Sequence, residues 1–297
     1  MESSVRLHNW SYDPAENTIE SNSGFVGLQN QGATCYMNSM LQQLYHIPSF
    51  RYEILRVRGL TTTSDDAKSE GEEKGEEKGE EKGEEEMKKS NNTSSSSILL
   101  KQLQVLFGYM SLSSHSHYDT LPLCRTMYDV VDGRPLRLTE QKDVNEFCAY
   151  LFDELERASP EASNVVKSHF QGNFVHEIIS QDHQAPYIST RYEPFYMITV
   201  PVKNKSSLEE GLELLTSGES LAGENQYRLP TEAGYGENRK VNATKVMTVS
   251  ELPRHLILHL KRFDFDYQTM EKSKINDAFT FPATMDMYNF TQRGRKR

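Results

Sequence analysis

Three cysteines could supply a thiol nucleophile, and their surroundings differ. Cys35 closes the stretch Gly27-Leu-Gln-Asn-Gln-Gly-Ala-Thr-Cys35. It is followed by Tyr36, Met37, Met40, Leu41, Leu44 and Tyr45, apolar residues at helical spacing. A thiol at a helix start feels the positive end of the helix dipole and the free N–H groups of the first turn, both of which favour a thiolate. Asn30, five residues earlier, can fold over to donate its amide hydrogen, together with the Cys35 N–H, to an oxyanion developing on a carbonyl. Gly27 and Gly32 permit a tight turn and close approach of a substrate backbone. Spacing alone leaves two readings of Cys35 open, a nucleophile or a small core hydrophobe beside a buried helix. Cys148 lies inside the apolar stripe Val144, Phe147, Cys148, Leu151, Phe152 and Leu155 and reads as core. Cys124, in Leu121-Pro-Leu-Cys-Arg125, has no such helix start and reads as structural. No C-x-x-C pair is present, which points to reduced thiols rather than to a disulfide framework or a four-cysteine zinc site.

A helix carrying such a thiol must be held from behind. The stripe over 36–45 supplies the helix, and Pro48 marks a stop. Helical spacing returns at Leu99, Leu100, Leu103, Leu106 and Met110, and again over 144–155. There Asp143, with Glu146 three residues later, predicts an N-terminal cap. After Pro160 the texture turns to strands. Segments 174–179, 187–202, 241–250 and 255–266 are rich in β-branched and aromatic residues, with one short helix expected at 208–215. The fold class expected is α+β, helical first and strand-rich second.

The 297 residues carry 33 Lys+Arg and 43 Asp+Glu, a formal net charge of −10. Twelve acidic and six basic residues between Asp65 and Lys89 give −6 of this, so the rest of the chain holds only −4. That stretch contains three copies of Gly-Glu-Glu-Lys and a fourth degenerate one, and runs into a Ser/Asn/Thr tract. With almost nothing to bury and a glycine every fourth residue, 61–97 is expected to be a disordered acidic insertion acting as a solvated spacer. The near-neutral remainder lacks the basic field on which nucleic-acid binding relies, so no nucleic-acid partner is expected. Residues 1–23 read as a polar extension without the pattern of a secretory signal, and no apolar run approaches membrane-spanning length. The expectation is a soluble intracellular protein, cytoplasmic with the nucleus as the alternative.

The segment Gly27-Leu-Gln-Asn-Gln-Gly-Ala-Thr-Cys-Tyr-Met-Asn-Ser-Met-Leu-Gln-Gln-Leu44 resembles the cysteine box of the ubiquitin-specific proteases. Gln141-Lys-Asp-Val-Asn-Glu-Phe147 is similar to the family's second box, and Leu252-Pro-Arg-His-Leu-Ile-Leu-His-Leu-Lys-Arg-Phe263 to its palm strand. Phe279-Thr-Phe-Pro282 with Asp286-Met287 resembles the stretch that follows. The motifs occur in the family's order, and the look is that of its very large members. The resemblance implies a papain-like cysteine protease built as a right hand, with a helical thumb over 24–170 and strand-rich fingers and palm over 171–297. It further implies that Cys35 attacks the isopeptide carbonyl after the last glycine of ubiquitin, that Asn30 supports the oxyanion and that Asp143 holds the extended ubiquitin tail. Ubiquitin and ubiquitinated proteins would be the partners, with no cofactor.

Two departures from the family pattern set further expectations. Thiol hydrolysis needs an imidazole to take the thiol proton and return it to the leaving amine, with an Asp or Asn to orient it. In the resembled family these sit in a Gly-His-Tyr-like box after the Phe-Pro stretch, and the sequence to Arg297 has no such box. His46 stands some three turns along the helix from the thiol, His255 and His259 share one face of the expected palm strand, and the other histidines match no motif. The expectation is a catalytic domain incomplete at its C-terminal palm: a deubiquitinase in a longer protein, inactive as this chain alone. A catalytically dead ubiquitin-binding module and an interaction scaffold are the alternatives. Many members also bind fingertip zinc through two C-x-x-C pairs, near 181–184 and 227–235. Neither pair is present, so no metal is expected.

Overall fold

The stripe that follows Cys35 folds as helix α1 (Cys35–Tyr45), with Met37, Leu41 and Leu44 buried on its inner face. This is seen in a computed structural model that describes residues 23–58, 80–129, 133–266 and 270–295, with backbone alone for 80–94, 265–266 and 272. The expected polar extension up to residue 22, and 61–79 of the expected insertion, lie outside the described residues. Among the described residues no helix is long and apolar enough to cross a membrane. The chain divides into two compact units, with the boundary after Val166.

In the first unit Pro48 does more than stop α1, because it also opens α2 (Pro48–Arg56). Proline lacks the N–H that a first-turn position leaves unbonded anyway, so one residue ends one helix and starts the next. Strand β1 (Gly27–Leu28) pairs in parallel with β2 (His117–Tyr118). Helix α3 (Glu80–Leu112) packs against α2 and α5 (Val144–Ala158), with the short α4 (Leu121–Cys124) between them in sequence. Leu99, Leu103, Leu106 and Phe107 of α3 and Leu151, Phe152 and Leu155 of α5 are fully buried. The Phe107 ring meets Tyr45 edge-on at 5.7 Å and Phe50 at 6.4 Å.

Helix α3 corrects the expectation that disorder extends through Ser97, since 80–97 is helical. No glycine or proline interrupts the sequence between Gly83 and Gly108. A helix nucleated by the apolar 99–110 face can therefore propagate backward at low cost. Ser96 is fully buried and its hydroxyl donates to Glu154 Oε2 at 2.7 Å. Burial raises the Glu154 carboxyl above the ordinary glutamate value.

Helix α6 (Pro160–Phe170), in which the unit boundary falls, fills the interval between Pro160 and the first expected strand at 174, for which no helix was singled out. Ala162, Val166 and Phe170 are buried at four-residue spacing, and a proline again opens the helix.

The second unit holds an antiparallel sheet in the order β4 (Ile188–Phe195), β3 (Gly172–Ser180), β9 (Ala243–Glu251), β6 (Glu219–Leu221). Strand β5 (Met197–Pro201) pairs in parallel with β10 (Ile257–Lys261), Met197 opposite Ile257. Helix α7 (Leu208–Thr216) lies so close to β5 that a Cβ on Gly211 would come within 2.4 Å of Val200 Cγ1. Phe195, Ile198, Val200, Leu208, Leu212, Val249 and Phe290 form the core there. Strands β7 (Tyr227–Arg228) and β8 (Lys240–Val241) pair with each other, as do β11 (Phe263–Asp266) and β12 (Glu271–Lys274), and α8 (Gln292–Arg295) follows. Because β10 starts at Ile257, His255 lies ahead of the strand and shares no strand face with His259. Its ring instead stacks on His169 at 5.2 Å, and its backbone N–H donates to His169 O at 2.9 Å.

Around 181–184 and 227–235 the chain is held by side chains. Ala185, Leu229 and Val241 form a small core with Tyr187, Tyr227 and Tyr235 packed on it. Arg239 Nη2 pairs with Asp182 Oδ2 at 2.8 Å, and the Tyr235 hydroxyl donates to Pro186 O at 3.0 Å. Among the described residues no three His, Cys, Asp or Glu side chains gather as a metal site.

Candidate active site

The loop before α1 is stitched internally and to its neighbours. Asn30 Oδ1 accepts from Thr34 N at 3.0 Å and from the Thr34 hydroxyl at 2.8 Å, and Asn30 Nδ2 donates to Gly32 O at 2.9 Å. The Thr34 hydroxyl also accepts from Gln31 N at 2.9 Å. Gln31 Nε2 donates to Asp119 Oδ1 at 2.7 Å, and Asn38 Nδ2 reaches back to Leu28 O and Gln29 O. These Asn30 bonds close the loop onto Thr34, the residue directly ahead of Cys35.

Gly32 is essential to this path. Its φ is +115°, which favours glycine, and a Cβ would lie 2.8 Å from Leu138 O. Ala33 N donates to that same carbonyl at 2.7 Å. The loop is therefore docked backbone to backbone on the segment that leads to α5.

Cys35 is the first residue of α1 and its side chain is exposed. Thr34 occupies the cap position, yet its hydroxyl is turned back into the loop and no side chain caps the helix. The N–H groups of a first turn have no partners inside the helix, so the Cys35 N–H is left to meet an acceptor from outside. Cys35 Sγ accepts a hydrogen bond from Gln141 Nε2 at 3.6 Å.

Asp143 caps α5, its Oδ1 accepting from Asn145 N at 2.7 Å. Tyr36 and Phe147, the second residue of α1 and the fourth of α5, meet edge-on at 5.6 Å. Helix starts, thiol and carboxylate are therefore held on one small frame. Lys142, between Gln141 and Asp143, turns its ammonium to Asp129 at 2.6 Å, and this bond holds its pKa above the ordinary lysine value.

The other two thiols behave differently. Burial pushes the Cys148 thiol up to about 12 and the Cys124 thiol up to about 11, so both stay protonated near neutrality. Of the histidines in this unit, His46 follows α1 and packs edge-on against Phe25 and Tyr45. At 1.5 Å per residue it stands about 16 Å from the helix start. His115 stacks on Tyr109, and His117 Nδ1 bonds the Ser116 hydroxyl.

A model of the ubiquitin carboxyl-terminal hydrolase family matches residues 26–297. The chain belongs to this family.

Among its relatives, ubiquitin carboxyl-terminal hydrolase 34 of Homo sapiens is 32% identical over 285 residues, 96% of this chain and 7% of the relative. The probable ubiquitin carboxyl-terminal hydrolase FAF of Drosophila melanogaster is 33% identical over 310 residues, 97% of this chain and 11% of the relative. Ubiquitin carboxyl-terminal hydrolase 9X of Mus musculus is 32% identical, with 97% of this chain and 11% of the relative covered. The chain thus spans about a tenth of the length of these relatives. Membership in the ubiquitin carboxyl-terminal hydrolases carries the papain-like cysteine protease fold, and the mixture of helices and sheets is consistent with α+β. One residue of this family member drew no role from its sequence. Gln141 stands two positions before Asp143 at the head of the second box, and only its contact with Cys35, 106 residues away, gives it one.

Proposed function

We propose that this chain is part of the catalytic domain of a thiol-dependent deubiquitinase, cleaving isopeptide bonds at the C-terminal glycine of ubiquitin within a longer cytoplasmic or nuclear protein. The observation that carries this reading is the exposed Cys35 at the uncapped start of α1, in a chain of the ubiquitin carboxyl-terminal hydrolase family. Cys35 would add to the isopeptide carbonyl, and the Cys35 N–H with the remaining N–H of Asn30 would receive the charge on oxygen. Asp143, fixed by its own capping bond, would accept N–H groups of the extended ubiquitin tail. On this reading the first unit would serve as thumb and the second would supply fingers and palm. A hydrolysis cycle also needs an imidazole general base, so the chain alone is expected to bind ubiquitin and to hydrolyse its conjugates little or not at all.

Labelling by ubiquitin that bears a C-terminal electrophile tests the reading. Wild type is expected to form the adduct and Cys35→Ala to form none. Labelling that survives the substitution removes Cys35 as nucleophile, and ubiquitin binding with no labelling of wild type favours a binding module.

A further inference from the structure

Two side-chain amides stand near the candidate nucleophile, and they are committed to different degrees. Asn30 spends Oδ1 on two donors and one N–H on Gly32 O, so most of its bonding capacity holds the loop together. Gln141 is exposed, and its amide has a single side-chain bond among the described residues, the one it donates to Cys35 Sγ at 3.6 Å. Its backbone is nevertheless fixed from both sides. Three residues before it, Leu138 O receives Ala33 N at 2.7 Å and seats Gly32. Two residues after it, Asp143 opens α5, whose Phe147 meets Tyr36. A rigid backbone thus carries an amide that is free to turn about its own side-chain bonds.

When a thiolate adds to a carbonyl, one C–S bond forms and the π pair of C=O moves onto oxygen. That oxygen is attached to the carbon now bonded to Sγ. A donor that rests on the sulfur before attack needs only a side-chain rotation to follow the negative charge to the oxygen. We propose that Gln141 is a catalytic residue whose Nε2–H joins the Cys35 N–H as a donor to this oxyanion, an assignment that deepens the deubiquitinase reading above and rests on it. Preorganised donors are worth on the order of 100- to 1000-fold in rate, and an exposed donor that must first rotate from sulfur to oxygen is expected to contribute less, at least tenfold.

The test uses the 297-residue chain and N-acetylglycinal, an aldehyde to which a thiol adds, sulfur to carbon and proton to oxygen, giving a thiohemiacetal whose oxygen takes the place of the oxyanion. Protection of Cys35 from iodoacetamide is titrated with the aldehyde in wild type, Gln141→Leu and Gln141→Glu. Each protein's alkylation rate without aldehyde is its own reference, and its melting temperature reports folding. The expected result is half-protection of wild type at an aldehyde concentration at least tenfold lower than either variant requires. Equal half-protection in wild type and Gln141→Leu, or no protection of wild type, overturns the assignment. A parallel titration with ubiquitin carrying the same C-terminal aldehyde separates the two claims. If it protects wild type no better than N-acetylglycinal while the tenfold difference stands, the deubiquitinase reading fails and Gln141 keeps its role. If it protects tightly while N-acetylglycinal treats wild type and Gln141→Leu alike, Gln141 loses its role and the reading stands.

Discussion

Helices α1 and α5 begin within one unit, and their first turns are finished in opposite ways. At α5 the carboxylate of Asp143 is spent on Asn145 N, the usual bond of a helix cap. At α1 the hydroxyl of Thr34 could make the same bond, but Asn30 and Gln31 draw it back into the loop. The first start is satisfied locally and adds stability. The second is held open, with an exposed thiol on its first residue. A cap residue in sequence is therefore only an offer, and the preceding loop decides whether the helix start serves its own fold or an incoming acceptor.

Thiol chemistry is expected to show the largest effect. With pKa values near 12 and 11, about one in a thousand Cys148 and one in a hundred Cys124 side chains would be thiolate at pH 9. In the folded chain at pH 9, mass spectrometry should find iodoacetamide on Cys35, with reaction slower by tens of times or more at Cys124 and slower still at Cys148. In denaturant the three should react alike. Raised folded values also fix the sign of the pH dependence. Their stabilisation is complete below the unfolded thiol value of about 8.5 and is lost as pH rises toward 11 to 12. Melting temperature should fall over that window, and Cys148→Ala should flatten the fall.

Next in size is Gly32→Ala, which places a Cβ 2.8 Å from Leu138 O at φ +115°. A loss of about 1–3 kcal/mol is expected in denaturant unfolding. An unchanged midpoint would mean that the loop is not clamped where the contrast between the two helix starts requires.

The smallest effect sharpens the α5 side. Asp143→Ala should cost about 1 kcal/mol through the lost cap, and Asp143→Asn, which can still cap, only a few tenths. If Asp143→Asn also binds ubiquitin as tightly as wild type, the carboxylate is a cap and nothing more.

Much of this could be read from local sequence. The stripe of α1, the Asp143 cap, α7 and the principal strands follow from spacing and residue type, because the forces that form them act within a few residues. The two helices opened by Pro48 and Pro160 were harder to see, since a proline that ends one element is also well suited to begin another. The helical 80–97 segment was hidden because its polar composition says little, whereas its continuity with a buried apolar face says more. At the site, Cys35 and Asn30 lie in one motif and could be paired by eye. The Gln141 amide is carried to the thiol by the docking of Gly32 on Leu138, a contact between distant segments that no local pattern encodes.

The parallel pair β5–β10 carries a consequence for synthesis. Met197 lies opposite Ile257, 60 residues further along the chain, and the excursion between them contains α7 and strands β6 to β9. Such a pairing must absorb the entropy of closing a long loop before any ladder bond forms, which makes it slow and late. At roughly 5–20 residues per second, a ribosome would need about 3–12 s after β5 emerges before β10 can follow. Through that interval β5 lacks the strand with which it pairs, so a nascent chain would present there an open strand edge that a chaperone could cover.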